Sequence, residues 1–549
     1  MRRKLLQSNA LKAWGLVLLV LAGSARATAQ VQLDTKATVP PDEAPVQPHD
    51  GVIDLSLNQA VEIALRRNLA LVVERFTRTE ARLGVDQALG VYDLLANSTL
   101  SATDQTSATV SRLTGSQSNQ QQWDFSLSQF VPSGGQVSVG WENSRRESND
   151  PFATVNPAFN SNVTFSLTQP LLRDFGRLPL ERQLLLAQRQ SEGGGQEFER
   201  QVVASLQQVT NAYWALVEAR DQLVVARESL KLAQDLHERN RIQVEVGTMA
   251  QLELVQSEAA IATREEDIIR AQQSVGDAED ALRRLLNFPP GPLWEAEIRP
   301  QTDPEVERST TDVNAAITAA LAGRPEIRAQ QNQVEQARIN SAYFRNQKLP
   351  SLDLALSYGY SGVGGNVIVR DEDTNEIVGT LPGNYGDALS QITGLDFDGW
   401  SARLTFGFPL QNRAARAAST SADLELERQE TILRDIEQQV TTEVRQAARQ
   451  VDSAAKQIDA ARASARFEES SLNAEKKKYE NGMSSSFEIT RVQQDLTAAK
   501  SREVTAVVAY RTALTQLQQA TGQLLSTYNV AIDDPEQPVD RWSFFGGRR

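Results

Sequence analysis

Two long stretches of the chain place apolar or small residues at every seventh position. The first series is Val209, Leu216, Leu223, Leu230, His237 and Val244, and the second is Val444, Val451, Ile458, Ala465, Leu472 and Tyr479. Alanine stands three positions after many of these residues, as Ala212, Ala219, Ala226 and Ala233 and again as Ala447, Ala454 and Ala461. A sustained seven-residue period predicts helices that pack in a left-handed supercoil. Each run of about 50–65 helical residues would span roughly 75–100 Å. Helices of this length suit a tube better than a compact globule.

Both series end at a glycine, and a second helical pattern begins shortly afterwards. Gly247 precedes Thr248 in the first copy, and Gly482 precedes Met483 in the second. Glycine adopts positive φ without steric cost, which suits the residue that ends a helix. We therefore predict two long helical hairpins, at about 178–287 and about 412–525. Three consecutive glycines at 193–195 predict a hinge or an interruption in the first hairpin.

The hairpins belong to a larger unit that occurs twice. The apolar positions of residues 57–69 match those of residues 313–325, so a short helix opens each copy. The sequence predicts a first repeat at 53–312 and a second at 313–525, each ordered as helix, strands and long hairpin. Residues 288–312, which are rich in proline, are expected to form a short irregular segment. Residues 526–549 are expected to form a C-terminal tail.

Alternation of apolar with small or polar residues is confined to about 95–169 and about 351–408. The clearest apolar sets are Trp123, Phe125 and Leu127; Val137, Val139 and Trp141; Val163, Phe165 and Leu167; Leu352, Leu354, Leu356 and Tyr358; and Trp400, Ala402, Leu404 and Phe406. This pattern is typical of lipid-facing barrel strands, and a half-buried soluble sheet is the alternative. Because a single-chain barrel needs at least eight strands, we expect oligomerisation, with three subunits of four strands giving about twelve. An additional hairpin near 122–143 either enlarges the barrel or folds outside it.

The first residues are typical of a secretion signal. Arg2, Arg3 and Lys4 precede a short apolar run and small residues suited to cleavage, which predicts a signal peptide at 1–29. A membrane anchor is the alternative, although the apolar run is shorter than the roughly 20 residues of a spanning helix. Residues 30–52 contain four prolines and predict a disordered tether.

Composition leaves little material for catalysis. The chain has 549 residues, no cysteine and two histidines, His49 and His237. Thiolate metal sites, disulfides and a cysteine nucleophile are therefore excluded, and histidine, the commonest general base, is scarce. A net charge of −14 argues against nucleic acid. We expect no cofactor, no metal and no enzymatic activity, and the two functions that remain are an export channel and a soluble periplasmic coiled-coil scaffold.

Several short motifs resemble those of the TolC-like outer-membrane efflux family, and they occur in the same order along the two repeats. Residues 64–71 look like the family's "AL..NP.L" opening, with Leu69 in place of proline, and residues 323–327 look like its second, "RPEI" form. Residues 167–172 resemble the "LTQPLL" segment that joins strand to helix, and residues 404–410 are its counterpart. Tyr479 and Gly482 resemble the motif at the hairpin tip. The resemblance covers nearly the whole mature chain.

The resemblance implies a mostly α-helical homotrimer with a membrane β-barrel portion continuous with an α-helical tunnel. It places residues 288–312 in an equatorial segment around that tunnel. It places the protein in the outer membrane of a Gram-negative bacterium, surrounded by lipid and extending into the periplasm. The far end of the tunnel would meet a periplasmic adaptor protein and an inner-membrane pump. The function implied is a passive exit duct in tripartite efflux or type I secretion.

The resemblance also assigns residues at the tunnel entrance. Glu253 matches an acidic position that can pair with a tyrosine, here Tyr479, and Glu488 matches an acid lining the pore. Repeated carboxylates in a ring favour cations. Arg491 departs from the family, where a second acid occurs, and Ser484 stands where an arginine partner occurs. The tips, with Gly247, Thr248, Gly482 and Met483, would contact the adaptor.

Overall fold

The computed structural model describes residues 49–108, 115–304, 312–371 and 376–532. The predicted signal peptide and most of the tether and tail lie outside these residues. The first repeat contains β1 (Val52–Leu55), α1 (Leu57–Arg67), α2 (Leu69–Leu89), β2 (Leu95–Thr106), β3 (Gln117–Phe130), β4 (Gln136–Ser148), β5 (Val155–Pro170), α3 (Arg177–Glu245), α4 (Gln251–Leu286), α5 (Pro292–Glu295) and β6 (Glu297–Pro300). The second contains α6 (Val313–Gly323), α7 (Pro325–Asn346), β7 (Ser351–Arg370), β8 (Ile377–Leu381), α8 (Tyr385–Gly394), β9 (Asp398–Gly407), α9 (Arg413–Glu480), α10 (Ser486–Ala520) and α11 (Leu524–Thr527).

The two repeats have helices of nearly equal length. Helices α3 and α9 contain 69 and 68 residues, and α4 and α10 contain 36 and 35. The opening helices α1 and α6 contain 11 residues each. The predicted duplication, with helix, strands and long hairpin in each copy, is confirmed. At 1.5 Å per residue the longest helices extend about 100 Å, and none of the described helices is long and apolar enough to span a membrane.

The second seven-residue series forms the interior of its hairpin, and the first does so only in part. All six members of the second series, from Val444 to Tyr479, are buried. In the first series Val209 and Leu216 are fully buried, whereas Leu223, Leu230, His237 and Val244 are partly exposed. Residues of α6, α7, α9 and α10 share one apolar cluster, and residues of α1, α3, α4, β1 and β6 share another. The sequence pattern therefore predicted the buried face correctly for α9 and for the first part of α3, where a partner helix covers the apolar stripe. Farther along α3 the buried residues are instead Val225, Ser229, Ala233, Leu236 and Asn240.

The predicted hinge at 193–195 is wrong, since α3 runs through the three glycines without a break. A Cβ atom placed on Gly194 would lie 3.4 Å from Ala81 Cβ of α2. The glycine thus allows a close approach between α2 and α3, and packing against α2 and α7 compensates for its low helix propensity.

The equatorial segment contains regular structure that the sequence did not predict. Strand β6 pairs in parallel with β1, with Ile53 opposite Ile298. Both isoleucines are fully buried in the cluster formed by α1, α3 and α4. Beneath this small sheet, Glu279 of α4 accepts hydrogen bonds from Arg220, Arg283 and the backbone N–H of Ile298.

All other strands form one antiparallel sheet. Its order is β2, β3, β4, β5, β7 and then β9 and β8, which pair with opposite ends of the 20-residue β7. The hairpin β3–β4 lies within this sheet, between β2 and β5. Helix α8, which the sequence did not predict, packs on β7, where Gly362 and Gly364 leave no room for a side chain beneath it.

Candidate channel entrance

The two hairpins end in turns of the same geometry. Gly247 and Gly482 have φ of +77° and +71°. In each turn the next residue closes a bond to the carbonyl five positions earlier, Thr248 to Gln243 at 2.9 Å and Met483 to Lys478 at 2.9 Å. This is the Schellman arrangement, in which glycine takes the left-handed conformation that ends a helix. It explains why each heptad series ends at a glycine.

A buried amide joins the tip of one hairpin to the tip of the other. Asn240 of α3 is fully buried. Its Oδ1 accepts a 2.6 Å hydrogen bond from the Tyr479 hydroxyl of α9, and its Nδ2 donates to Ser486 Oγ of α10 at 2.8 Å. Gln243 Oε1 lies 3.1 Å from the same hydroxyl. The single phenol proton therefore satisfies Asn240 Oδ1, and the amide of Asn240 satisfies Ser486 Oγ, as burial requires.

An apolar cluster surrounds this amide and fixes the tips relative to each other. Its buried members are Leu236, Leu472, Tyr479, Ile489, Val492 and Leu496. Tyr479 is only 5% exposed. Burial, and after it the charge of Glu253, raise the pKa of the Tyr479 phenol above its ordinary value. The phenol is therefore a protonated hydrogen-bond donor throughout the neutral range.

Glu253 lies near Tyr479 without being bonded to it. Its Oε2 is buried and has no hydrogen-bond partner among the residues that the structure describes. The expected Glu253–Tyr479 pair is thus replaced by Tyr479–Asn240 in this structure. The two side chains still interact through space, since the carboxylate contributes to the raised pKa of the phenol.

Glu488 and Arg491 form an ion pair one turn apart at the start of α10. Arg491 Nε donates to Glu488 Oε2 at 3.0 Å, and its Nη1 donates to Asp495 at 3.1 Å. All three side chains are about half exposed. The arginine therefore offsets part of the negative charge that Glu488 and Asp495 bring to the entrance.

Ser484 takes a different partner from the one its family position suggests. Its hydroxyl donates to Glu475 of α9, and Lys478 contacts the same carboxylate at 2.9 Å. The hydrogen bond from Ser484 and the one from Lys478 lower the pKa of Glu475. This pairing holds the residues on both sides of the Gly482 turn together.

The sequence did not single out Asn240, although a signal was present. Ala212, Ala219, Ala226 and Ala233 recur at every seventh position, and Asn240 is the next member of that series. A polar side chain at a buried position of a heptad requires a partner and fixes the register of the helices. The break in the alanine series therefore marks the polar contact.

Comparisons with known proteins identify the family. Residues 115–287 and 316–523 match the outer membrane efflux protein family, so the chain belongs to it. No curated protein matches the sequence. The chain is therefore an efflux protein of the outer membrane.

Three solved channels share the fold. The outer-membrane channel OprN is 15% identical with a TM-score of 0.64, over 85% of this chain and 90% of OprN. The CmeC outer membrane channel of Campylobacter jejuni is 15% identical with a TM-score of 0.61, over 85% of each chain. The outer membrane protein VceC of Vibrio cholerae is 15% identical with a TM-score of 0.61, over 85% of this chain and 96% of VceC. The family and these neighbours are channels and not enzymes.

Proposed function

We propose that three copies of the chain form one continuous exit duct, with the sheets closed into a barrel and the hairpins into a tunnel. The duct is passive, and the energy for export comes from a partner pump. Channels of this family generally work with an adaptor and an inner-membrane pump. The observation that carries the proposal is an amphipathic sheet continuous with two helical hairpins about 100 Å long, and within the described residues both edges of that sheet are open.

Exposed apolar side chains at both hairpin tips support docking of a periplasmic adaptor. Val246 and Leu252 flank the first turn and are 67% and 64% exposed, while Met483 and Phe487 flank the second and are 71% and 64% exposed. Apolar groups clustered at the end of a rigid element favour a protein partner. We propose that the adaptor contacts the tips at Gly247, Thr248, Gly482 and Met483.

We further propose that the residues near these tips form the entrance gate. In this proposal Tyr479 holds the two tips together, Glu253 sets the electrostatic environment of Tyr479, and Glu488 and Arg491 set the charge of the opening. The contacts that support it are the Tyr479–Asn240 bond and the Glu488–Arg491 pair. Three copies would place three of each charged group around one axis.

The second candidate is a soluble periplasmic coiled-coil scaffold, which the long hairpins alone would also suit. Cell fractionation combined with cross-linking separates the two. The duct requires the chain in the outer-membrane fraction as a trimer that also captures an inner-membrane transport protein through an adaptor. A monomer recovered from the soluble periplasmic fraction would contradict the duct and support the scaffold.

A further inference from the structure

We propose that each subunit contributes six strands to the barrel, so that three subunits enclose eighteen strands around a wide polar lumen. The six are β2, β3, β4, β5, β7 and β9, and the short β8, which pairs only with the other end of β7, is not counted among them. This proposal rests on the trimeric duct described above. It predicts a membrane segment that admits bulky hydrophilic cargo, with the narrowest point of the duct at the periplasmic entrance. Four strands per subunit would instead leave the β3–β4 hairpin outside the barrel.

A single row of paired residues crosses the entire sheet. Beginning at Leu95 in β2, successive partners on β3, β4, β5, β7 and β9 are Ser128, Ser138, Ser166, Ser357 and Ser401. Ser138 and Ser166 hydroxyls lie 2.9 Å apart, and those of Ser357 and Ser401 lie 2.8 Å apart. The β3–β4 hairpin supplies two members of this row, so it forms an integral part of the sheet.

Helix α8 provides a second, independent contact that keeps the hairpin in place. The ring of Tyr385 packs edge-on against Trp123 of β3, with centroids 5.4 Å apart, and against Phe159 of β5. Its hydroxyl donates to Asn143 Oδ1 of β4 at 2.6 Å. Asn143 is 2% exposed and also accepts a bond from Ser161 of β5. Tyr385, a residue of the second repeat, thus contacts three adjacent strands of the first repeat, β3, β4 and β5.

The sheet has two chemically distinct sides. Residues that share a side with Trp123 include Phe125, Leu127, Val139, Trp141, Val163, Phe165, Tyr358, Trp400 and Leu404. The serine row and its neighbours Ser126, Gly140, Thr164 and Gly359 lie on the other side. Lipid-facing and lumen-facing residues alternate in this way in membrane barrels. Helix α8 covers the part of the apolar side that holds Trp123, Gly362 and Gly364, and the rest of that side is left for lipid. The serine side therefore faces the lumen and makes it polar, and its charged members are Asp124, Glu142, Arg146, Asp353 and Arg403.

Both edges of the sheet require a neighbour. Within the described residues, neither β2 nor β9 pairs on its outer edge. All of β2 is exposed, and Trp400, Leu404 and Phe406 on β9 are 77%, 63% and 65% exposed. An open apolar edge promotes aggregation, and closure of a barrel removes it. Because six antiparallel strands make an even number, β9 of one copy meets β2 of the next in antiparallel orientation.

The register is compatible with such a barrel. The serine row reaches β9 at Ser401, whereas the strand ends six residues later at Gly407. If Gly407 pairs with Leu95 of the next copy, the register shifts by six residues, or about 20 Å along the strands. The six strands together are about 29 Å wide. The ratio of the two lengths corresponds to a strand tilt of roughly 35° from the barrel axis. Membrane barrels have tilts of about 35–45°. At equal tilt, eighteen strands give a barrel about half again as wide as twelve, wide enough for an aqueous channel.

Engineered disulfides distinguish six strands per subunit from four. The sequence contains no cysteine, so a pair of introduced cysteines meets no competing thiol. We expect S138C with S166C to cross-link β4 to β5 in trimers extracted from the outer membrane. L95C with S166C tests whether β2 lies beside β5, the arrangement that exclusion of the hairpin would produce, and should give no cross-link.

Two results would overturn the proposal. Cross-linking of L95C with S166C, or twelve strands counted in a density map of the wild-type trimer, would place the β3–β4 hairpin outside the barrel. Either result leaves the trimeric duct intact. Recovery of the wild-type chain as a soluble monomer would instead remove the duct, and the strand count with it. Eighteen strands in the map, together with the S138C–S166C cross-link alone, support the proposal.

Discussion

The Tyr479 hydroxyl donates a 2.6 Å hydrogen bond to Asn240 Oδ1 and thereby ties the second hairpin to the first. The same amide donates to Ser486 at the start of α10. Three helices therefore meet on one buried polar side chain at the end of the molecule farthest from the sheet. Any separation of the tips has to break this contact or carry all three helices together.

Replacing Tyr479 with phenylalanine should loosen the tips. Tyr479→Phe keeps the ring in its apolar cluster but leaves Asn240 Oδ1 without its donor, at a cost of about 1–3 kcal/mol. We expect more frequent or larger openings in single-channel recordings and a lower thermal midpoint. Tyr528→Phe is the control, since that hydroxyl contacts Thr210 far from the tips. Identical recordings for Tyr479→Phe and the wild type would remove Tyr479 from the gate.

The gate contact should withstand mild alkali. Burial, and after it Glu253, raise the pKa of Tyr479 above its value in the unfolded chain. Its contribution to stability is therefore complete below about pH 10, the ordinary tyrosine pKa, and is lost as pH rises through the folded value. We expect conductance to change little between pH 6 and 9 and to rise only in stronger alkali. Tyr479→Phe should lack that alkaline rise, and a rise near neutral pH in the wild type would contradict the assignment.

Glu488 and Arg491 should have opposite effects on cation block. Glu488→Ala removes a carboxylate from the proposed ring, so block by multivalent cations should weaken. Arg491→Ala releases Glu488 and Asp495 from their ion pair, so block should strengthen. Glu62→Ala, which breaks an exposed pair with Arg66 at the equator, is the control. Unchanged block in Glu488→Ala would exclude that residue from the pore.

Leu69→Pro should stabilise the first repeat. Leu69 is the first residue of α2, and Asn68 before it has φ −60° and ψ 121°, values that proline favours in its predecessor. Pro325 occupies the matching position at the start of α7. We expect a gain of about 0.4–1 kcal/mol in unfolding free energy. Leu71→Pro is the contrast, because Leu71 is buried and its N–H bonds to Asn68. A loss of stability in Leu69→Pro would contradict this account of the helix start.

The equatorial ion-pair network should be sensitive to the loss of one charge. Glu279 neutralises Arg220 and Arg283, whose side chains are 22% and 8% exposed. Glu279→Gln removes one carboxylate partner from each arginine, while Glu297 still pairs with Arg220 and Asp280 with Arg283, so we expect a cost of about 1–3 kcal/mol. Chemical denaturation in detergent measures the change. Glu266→Gln, in an exposed pair with Arg270, should change stability by less than about 1 kcal/mol. Equal effects of the two substitutions would contradict a buried network.

The helical part was predictable because its signal is repeated over many residues. Val209, Val444 and the other heptad positions report one face of a long helix, and no single residue decides the pattern. The glycines that end the two series were equally clear. At Gly194 the same reasoning failed, since a low helix propensity says nothing of the neighbouring helix that requires a small residue there.

The parts that escaped prediction depend on residues distant in the sequence. Strands β1 and β6 contain four residues each, too few for a period, and become strands only because Ile53 and Ile298 meet over a shared core. Helix α8 depends on Gly362 and Gly364 beneath it. The position of the β3–β4 hairpin is likewise determined by pairing with β2 and β5, which alternation alone does not specify.

We propose a threefold exit duct whose sheets lie in the outer membrane and whose hairpins form the tunnel. A three-dimensional reconstruction of the purified protein in lipid nanodiscs shows whether this assembly exists. We expect three subunits around one axis, a closed barrel inside the bilayer, and a helical tube ending at Gly247 and Gly482. A monomer, or a particle whose sheets lie outside the bilayer, would contradict it.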